Sequence, residues 1–158
     1  MLFAYTTISI LFLLAVFTPK KIAGIEIYST FFFAYWLGIT CDIIFDLTYH
    51  LYGYVAEGAQ LTSVCFITVI YFSVNTLFLN SFPYNKSILA KIVYILAWSI
   101  FATIYESIAV NTAFFYYNGW KLWYSAVLYP IIFTSLVLNL LWVRKLLFRY
   151  INREQSSM

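Results

Sequence analysis

The sequence predicts an all-α membrane protein, a single bundle of five transmembrane helices over residues 1–150 with a polar tail over 151–158. Hydrophobic residues make up 64% of the 158 positions and charged residues only 9%, which leaves too few polar side chains to cover a soluble globule. The apolar residues also form runs long enough to cross a bilayer. A soluble globular domain is therefore excluded.

Each predicted helix is an apolar run with a recognisable end. The predicted helices cover residues 2–18, 22–51, 61–82, 88–110 and 120–148. The first is read as a retained helix, because Lys20 and Lys21 follow its apolar run and a secretory signal has its positive charge before that run. The second would be about 45 Å long, so its end must emerge from a hydrocarbon core of about 30 Å. Pro130 lies inside the fifth predicted helix, where the loss of one backbone hydrogen bond predicts a kink.

Basic residues set the predicted orientation. With five spans, all but one of them fall on one side: Lys20, Lys21, Lys86, Lys91, Arg144, Lys145, Arg149 and Arg153. Only Lys121 falls on the other side. Because cytoplasmic loops carry an excess of Lys and Arg, we predict an external N-terminus, a cytoplasmic C-terminus and external loops at 52–60 and 111–119.

This arrangement predicts a multi-pass protein of the plasma membrane whose first partner is the lipid bilayer. The net charge of +3 is a topological signal, and the basic C-terminal segment is available to anionic headgroups. The basic residues are too few and too scattered for a nucleic-acid interface. A homo-oligomer or a membrane partner protein remains open.

A polar ridge near the end of the second helix is the main functional lead. Asp42, Asp46 and His50 recur at every fourth residue, so a helix would place them on one side. Counted from Glu26, Asp42 lies about 24 Å along its helix, and Glu106 lies about 22 Å along the fourth helix. The two carboxyl groups are therefore predicted at similar depth, in the outer part of the bilayer.

Ionisable groups at this depth cost about 3 kcal/mol or more, so we expect these side chains to face the bundle interior. Together Asp42, Asp46, His50 and Glu106 form a hard-ligand set for a divalent cation such as Mg²⁺, Mn²⁺ or Zn²⁺. Two alternatives stay open. Asp46 and His50 can be solvated interfacial residues, and Asp42 and Glu106 can be protonated acids that only hold helices together.

The predicted external loop 111–119 and the start of the fifth helix form a second informative stretch. Asn118 precedes a glycine and indicates a turn, after which Trp120 and Trp123 suit the outer membrane interface. Lys121 is the one outward basic residue and is placed to neutralise an outer carboxylate, although snorkelling to water explains it equally well. These residues complete the candidate polar site.

The segments 42–54 (DIIFDLTYHLYGY), 105–106 (Tyr-Glu) and 115–125 (FYYNGWKLWYS) resemble those of an uncharacterised family of small multi-pass membrane proteins of endospore-forming Gram-positive bacteria. The resemblance covers most of the chain. It implies a bacterial plasma-membrane protein and carries no activity, cofactor or residue role with it.

Three functional classes follow from these features. The first, which we favour, is a binding or accessory protein with an outward acidic pocket for a cation or a lipid headgroup. The second is a metal-dependent enzyme acting on a lipid-linked substrate, for which the chain offers no clear additional nucleophile or general acid. The third is a small oligomeric proton or cation permease. Cys41 and Cys65 fall in the outer halves of adjacent helices, where two free thiols are more common than a disulfide.

Overall fold

A computed structural model describes residues 2–55, 61–112 and 114–157. In chain order its elements are α1 (Leu2–Phe17), α2 (Gly24–Asp42), β1 (Tyr52–Tyr54), α3 (Leu61–Ser81), α4 (Ile88–Ala109), β2 (Phe115–Tyr117) and α5 (Leu122–Ser157). The predicted helical class is confirmed. Residues 56–60 and 113 of the predicted external loops lie outside the described residues.

In the part of the chain that the structure describes, four helical segments are long and apolar enough to cross a membrane: Gly24–Thr48, Leu61–Ser81, Ile88–Ala109 and Leu122–Arg153. The chain therefore has the architecture of a multi-pass membrane protein. The remaining helix, α1, has 16 residues. It is about 24 Å long, shorter than a hydrocarbon core of about 30 Å. It packs mainly on α3, with the rings of Tyr5 and Phe66 4.9 Å apart.

The end of α1 follows from its sequence. Pro19 cannot continue the helix and leaves the last carbonyls without helical partners. The side chain of Lys20 supplies donors to the carbonyls of Ala15, Val16 and Thr18. This arrangement satisfies the helix end and fixes the turn into α2.

Contacts near the start of α2 define one end of the bundle, which we call the basic end. Asn80 at the end of α3 accepts from the Lys21 backbone N–H at 2.6 Å. Glu26 on α2 forms an ion pair with Arg144 on α5, with Oε1 and Nε 2.7 Å apart. Segments that carry most of the basic residues therefore lie together, at the end opposite the two strands.

The second helix does not continue regularly to residue 51, as the sequence predicted. Its α-helical part ends at Asp42 and is followed by a π-helical segment, Ile43–Thr48. There the backbone N–H of Tyr49 bonds to the carbonyl of Ile44, five residues earlier, at 3.0 Å. His50 then adopts a φ of 51° and turns the chain towards β1.

The three residues of the predicted polar ridge differ in burial. Asp42 is buried, Asp46 is half-buried and His50 is exposed. Of these three residues, Asp42 alone is therefore buried as predicted, and the π-helical segment begins directly after it.

The two predicted external loops meet as a two-stranded antiparallel sheet. Tyr52 pairs with Tyr117, Gly53 with Tyr116 and Tyr54 with Phe115. The sheet lies over the end of the bundle opposite the basic end, which we call the sheet end. It connects the segment that follows α2 to the segment that follows α4.

The last helix, α5, is unbroken through Pro130 and has 36 residues. Its length of about 54 Å exceeds a hydrocarbon core of about 30 Å. Residues 151–157, predicted as a separate polar tail, continue this helix. The basic part of α5 can therefore project beyond the hydrocarbon region as a helix.

Candidate functional site

A cavity of about 260 Å³ lies inside the bundle, below the sheet. Helices α2 to α5 form its walls, and both strands contribute aromatic side chains to the part of the cavity at the sheet end. Most of its lining is apolar or aromatic. The two acidic residues in the lining are Asp42 and Glu106, which were predicted at similar depth and which the structure brings to the same cavity.

Asp42 is buried at the end of α2 and accepts hydrogen bonds from three tyrosine hydroxyls. Tyr52 and Tyr54 of β1 donate to Oδ1 at 2.8 and 3.2 Å. Tyr71 of α3 donates to Oδ2 at 3.1 Å. All three hydroxyls are thus directed at one carboxyl group.

Glu106 is buried near the end of α4 and has a similar set of donors. Tyr117 of β2 and Ser125 of α5 donate to Oε1 at 2.6 and 2.7 Å. Tyr129 of α5 donates to Oε2. The indole N–H of Trp120 donates to the Ser125 hydroxyl at 2.8 Å, so Trp120 acts on the acid through Ser125.

The strand tyrosines remain hydroxyl donors. Burial, reinforced by the charge of Asp42, raises the pKa of Tyr52 and Tyr54 far above its usual value. Burial and the hydrogen bond to Glu106 raise the pKa of Tyr117 in the same way. At physiological pH each phenol therefore keeps the proton that it donates to its carboxylate.

The two acids belong to one arrangement that occurs twice in the chain. In each case a helix carries the acid, the last tyrosine of the following strand donates to it, and a tyrosine of the next helix donates to it as well. The strand tyrosine follows its acid by 12 residues in the first unit and by 11 in the second. The cavity lies between these two helix–strand–helix units, where membrane proteins built from repeats commonly place their sites.

Gly38 allows α2 and α3 to approach closely beside Asp42. A Cβ atom at this position would lie 2.3 Å from a ring carbon of Tyr71 and 2.7 Å from its hydroxyl oxygen. No side chain fits unless the tyrosine moves. Gly38 therefore sets the position from which Tyr71 reaches the carboxylate.

Several predicted site residues lie elsewhere. Asp46 and His50 do not line the cavity, and Asn118, Lys121 and Trp123 are exposed at the sheet end. Within the parts of the chain that the structure describes, no group of three or more His, Cys, Asp or Glu side chains is arranged to hold a metal ion. The geometry thus gives no support to a divalent-cation site formed by Asp42, Asp46, His50 and Glu106. Trp120 is buried against the network.

Cys41 and Cys65 are both free thiols. Cys41 lines the cavity next to Asp42, whereas Cys65 is exposed on α3. The two sulfurs do not link α2 to α3, so the cavity wall is held by packing and hydrogen bonds.

The sequence reasoning missed the hydroxyl donors around the acids. The chain has 15 tyrosines, and aromatic residues in apolar spans are typical of interfacial belts and helix packing. A usable signal was present, since each acid is followed 10 to 12 residues later by a tyrosine that binds it.

No family model, curated protein or solved structure matches the chain. Its function is therefore inferred from the geometry of the cavity.

Proposed function

We propose that this chain is a plasma-membrane binding protein whose intramembrane cavity holds a small organic cation, between the carboxylates of Asp42 and Glu106. The observation that carries the proposal is a cavity with two buried, hydroxyl-bonded acids and no basic residue among its described lining residues. The ligand class is a free alkylammonium ion or the amine of a lipid headgroup.

The charge balance supports a cationic ligand. Each acid accepts three hydrogen bonds from neutral hydroxyl groups, and none from a basic side chain among the described residues. Lys121 is exposed, and Arg144 is paired with Glu26 at the basic end. A cation in the cavity would offset two charges that are expensive at membrane depth.

The walls favour an organic cation over a metal ion. Tyr52, Tyr54, Tyr71, Tyr129 and Trp120 all line the cavity, and aromatic faces attract ammonium groups. A divalent metal ion would need carboxylate oxygens as direct ligands, and the oxygens of both acids already accept hydroxyl hydrogen bonds. An ammonium group would need one acceptor site on each carboxyl group, and three hydroxyl donors leave one of its roughly four lone-pair sites open.

The volume limits the size of the ligand. A cavity of 150 Å³ in another protein holds one benzene molecule. The present volume of about 260 Å³ therefore suits a small amine or a headgroup, and excludes an entire phospholipid. A lipid ligand would have to keep its acyl chains outside the bundle.

The orientation is part of the proposal. The concentration of basic residues at one end supports a cytoplasmic basic end, with the sheet and the outer end of the cavity facing outward. The resemblance of segments 42–54 and 115–125 supports a bacterial plasma membrane as the location. With α1 as a fifth span, the N-terminus would also face outward.

Cysteine labelling tests this orientation. In a background with Cys41→Ser and Cys65→Ser, an impermeant maleimide added to intact cells should label Asn118→Cys and Leu2→Cys. It should label Lys145→Cys only after permeabilisation. Labelling of Lys145→Cys alone in intact cells would reverse the orientation, and protection of Leu2→Cys together with labelling of Asn118→Cys would show that α1 does not cross the membrane.

Titration with n-butylammonium chloride tests the ligand class. Calorimetry of the purified protein in a maltoside detergent should show saturable binding, and NaCl at equal ionic strength should show none. Asp42→Asn and Glu106→Gln should each weaken binding roughly tenfold to a hundredfold, because each removes one charge that contacts the ammonium group.

Asp46→Asn is the matched control, since it makes the same chemical change on a carboxyl group outside the cavity, and it should leave the affinity unchanged. If Asp42→Asn and Asp46→Asn weakened the affinity for n-butylammonium equally, general surface charge would explain the binding. Tighter binding of MgCl₂ than of butylammonium would favour a metal site instead.

A further inference from the structure

A polar side chain with an unused acceptor lies deep in the same cavity. Asn75 on α3 is 1% exposed and belongs to the cavity lining. Its Oδ1 atom is buried and has no hydrogen-bond partner among the described residues. An unpaired buried amide oxygen typically lowers the stability of the folded protein by about 1–3 kcal/mol. We therefore expect Oδ1 to bind a partner that the chain does not supply.

The neighbours of Asn75 determine which amide atom is free. The Thr30 hydroxyl donates its proton to the backbone carbonyl of Glu26 at 2.7 Å, so its oxygen is an acceptor for other groups. Nδ2 of Asn75 donates to that oxygen at 3.0 Å. The amide nitrogen is thus held against α2, and the carbonyl oxygen is the atom left for a ligand.

The two helix–strand–helix units differ at the position of Asn75. Asn75 follows Tyr71 by one helical turn on α3, and Phe133 follows Tyr129 by one helical turn on α5. Both residues line the cavity. The inner part of the cavity therefore has one hydrogen-bonding wall and one apolar wall, in contrast to the acidic residue that each unit supplies at the outer end.

We propose that the ligand is a linear amino alcohol, with its ammonium group between Asp42 and Glu106, its carbon chain along the apolar walls, and its terminal hydroxyl donating to Oδ1 of Asn75. The inference rests on the proposed function and specifies the ligand of the same site. A neutral donor suits the inner end better than a second ammonium group. The nearest acid there, Glu26, lies behind Thr30 and is already paired with Arg144.

Matched pairs of ligands test the inference. Amino alcohols of three to six carbons are compared by calorimetry with n-alkylammonium ions of the same chain length. At the best length the amino alcohol should bind roughly tenfold more tightly, because it pairs an acceptor that the alkylammonium leaves unsatisfied. Asn75→Leu should abolish this preference, so that the amino alcohol and the alkylammonium ion of each chain length bind equally tightly.

Two further variants make the test specific. Asn139→Leu removes another amide with an unpaired buried oxygen, on α5 and outside the cavity lining, and should leave the preference intact. Asn75→Asp places a carboxylate at the inner end and should shift the preference towards the α,ω-diamine of equal length. If alkylammonium ions bind and the hydroxyl adds no affinity at any length, this inference fails and the ammonium site stands. If no ammonium compound binds, the proposed function fails as well.

Discussion

Asp42→Leu is expected to lower the free energy of unfolding by roughly 3–5 kcal/mol, because it leaves three phenol hydroxyls at the cavity without their acceptor. Two of those hydroxyls belong to β1 and one to α3, so the loss affects both the sheet and the helix packing. The measurement is chemical unfolding in mixed micelles, followed by tryptophan fluorescence.

Asp46→Leu serves as the control for Asp42→Leu, because it makes the same substitution one turn later at a side chain that is half-buried and outside the network. It should change the stability by less than about 1 kcal/mol. Adding Tyr52→Phe and Tyr71→Phe to Asp42→Leu should recover part of the loss, since the donors are removed together with their acceptor. Equal costs at the two aspartates, or no recovery, would show that the hydroxyl network does not hold the bundle.

Gly38→Ala is expected to cost about 1–3 kcal/mol of stability and to weaken alkylammonium binding. The added methyl group would occupy space now filled by the Tyr71 ring, so the ring must move away from Oδ2 of Asp42. The two effects are measured by unfolding in mixed micelles and by calorimetry with n-butylammonium on the same preparation.

Gly24→Ala is the matched control for Gly38→Ala. It lies at the start of the same helix, where an added Cβ would have no neighbour within 4 Å. Because alanine is a better helix former than glycine, this variant should be neutral or slightly stabilising and should bind normally. A Gly38→Ala protein with unchanged stability and affinity would mean that Tyr71 has another position from which it serves the site.

Much of the helical architecture could be predicted from the sequence, because long apolar runs and the Pro, Lys and Asn residues that end them are local signals. The predicted bounds of α3 and α4 differ from the observed ones by a single residue at each C-terminal end. The end of α2 was missed because nothing in the run from Asp42 to Leu51 marks a change from α-helical to π-helical hydrogen bonding. The strands were missed because their pairing depends on segments far apart in the chain.

The candidate site could be predicted only in part, for a related reason. Counting residues along helices placed Asp42 and Glu106 at similar depth, and both line the cavity. Periodicity also suggested Asp46 and His50 as part of the site, but neither of them lines the cavity. The hydroxyl partners depend on how β1 and β2 lie over the bundle, which no short segment encodes.

Within the described residues, every hydroxyl that binds Asp42 or Glu106 follows that acid in the chain. During synthesis each acid therefore reaches the translocon before any of these donors, when no hydroxyl partner offsets the cost of an ionisable group in the membrane. Asp42 gains its hydroxyl donors once β1 and α3 have emerged. Glu106 gains all of its donors only once α5 has inserted, because Ser125 and Tyr129 lie on that helix. The hydroxyl network of Asp42 can therefore be complete before α4 is made, whereas that of Glu106 is complete only when α5 is in place.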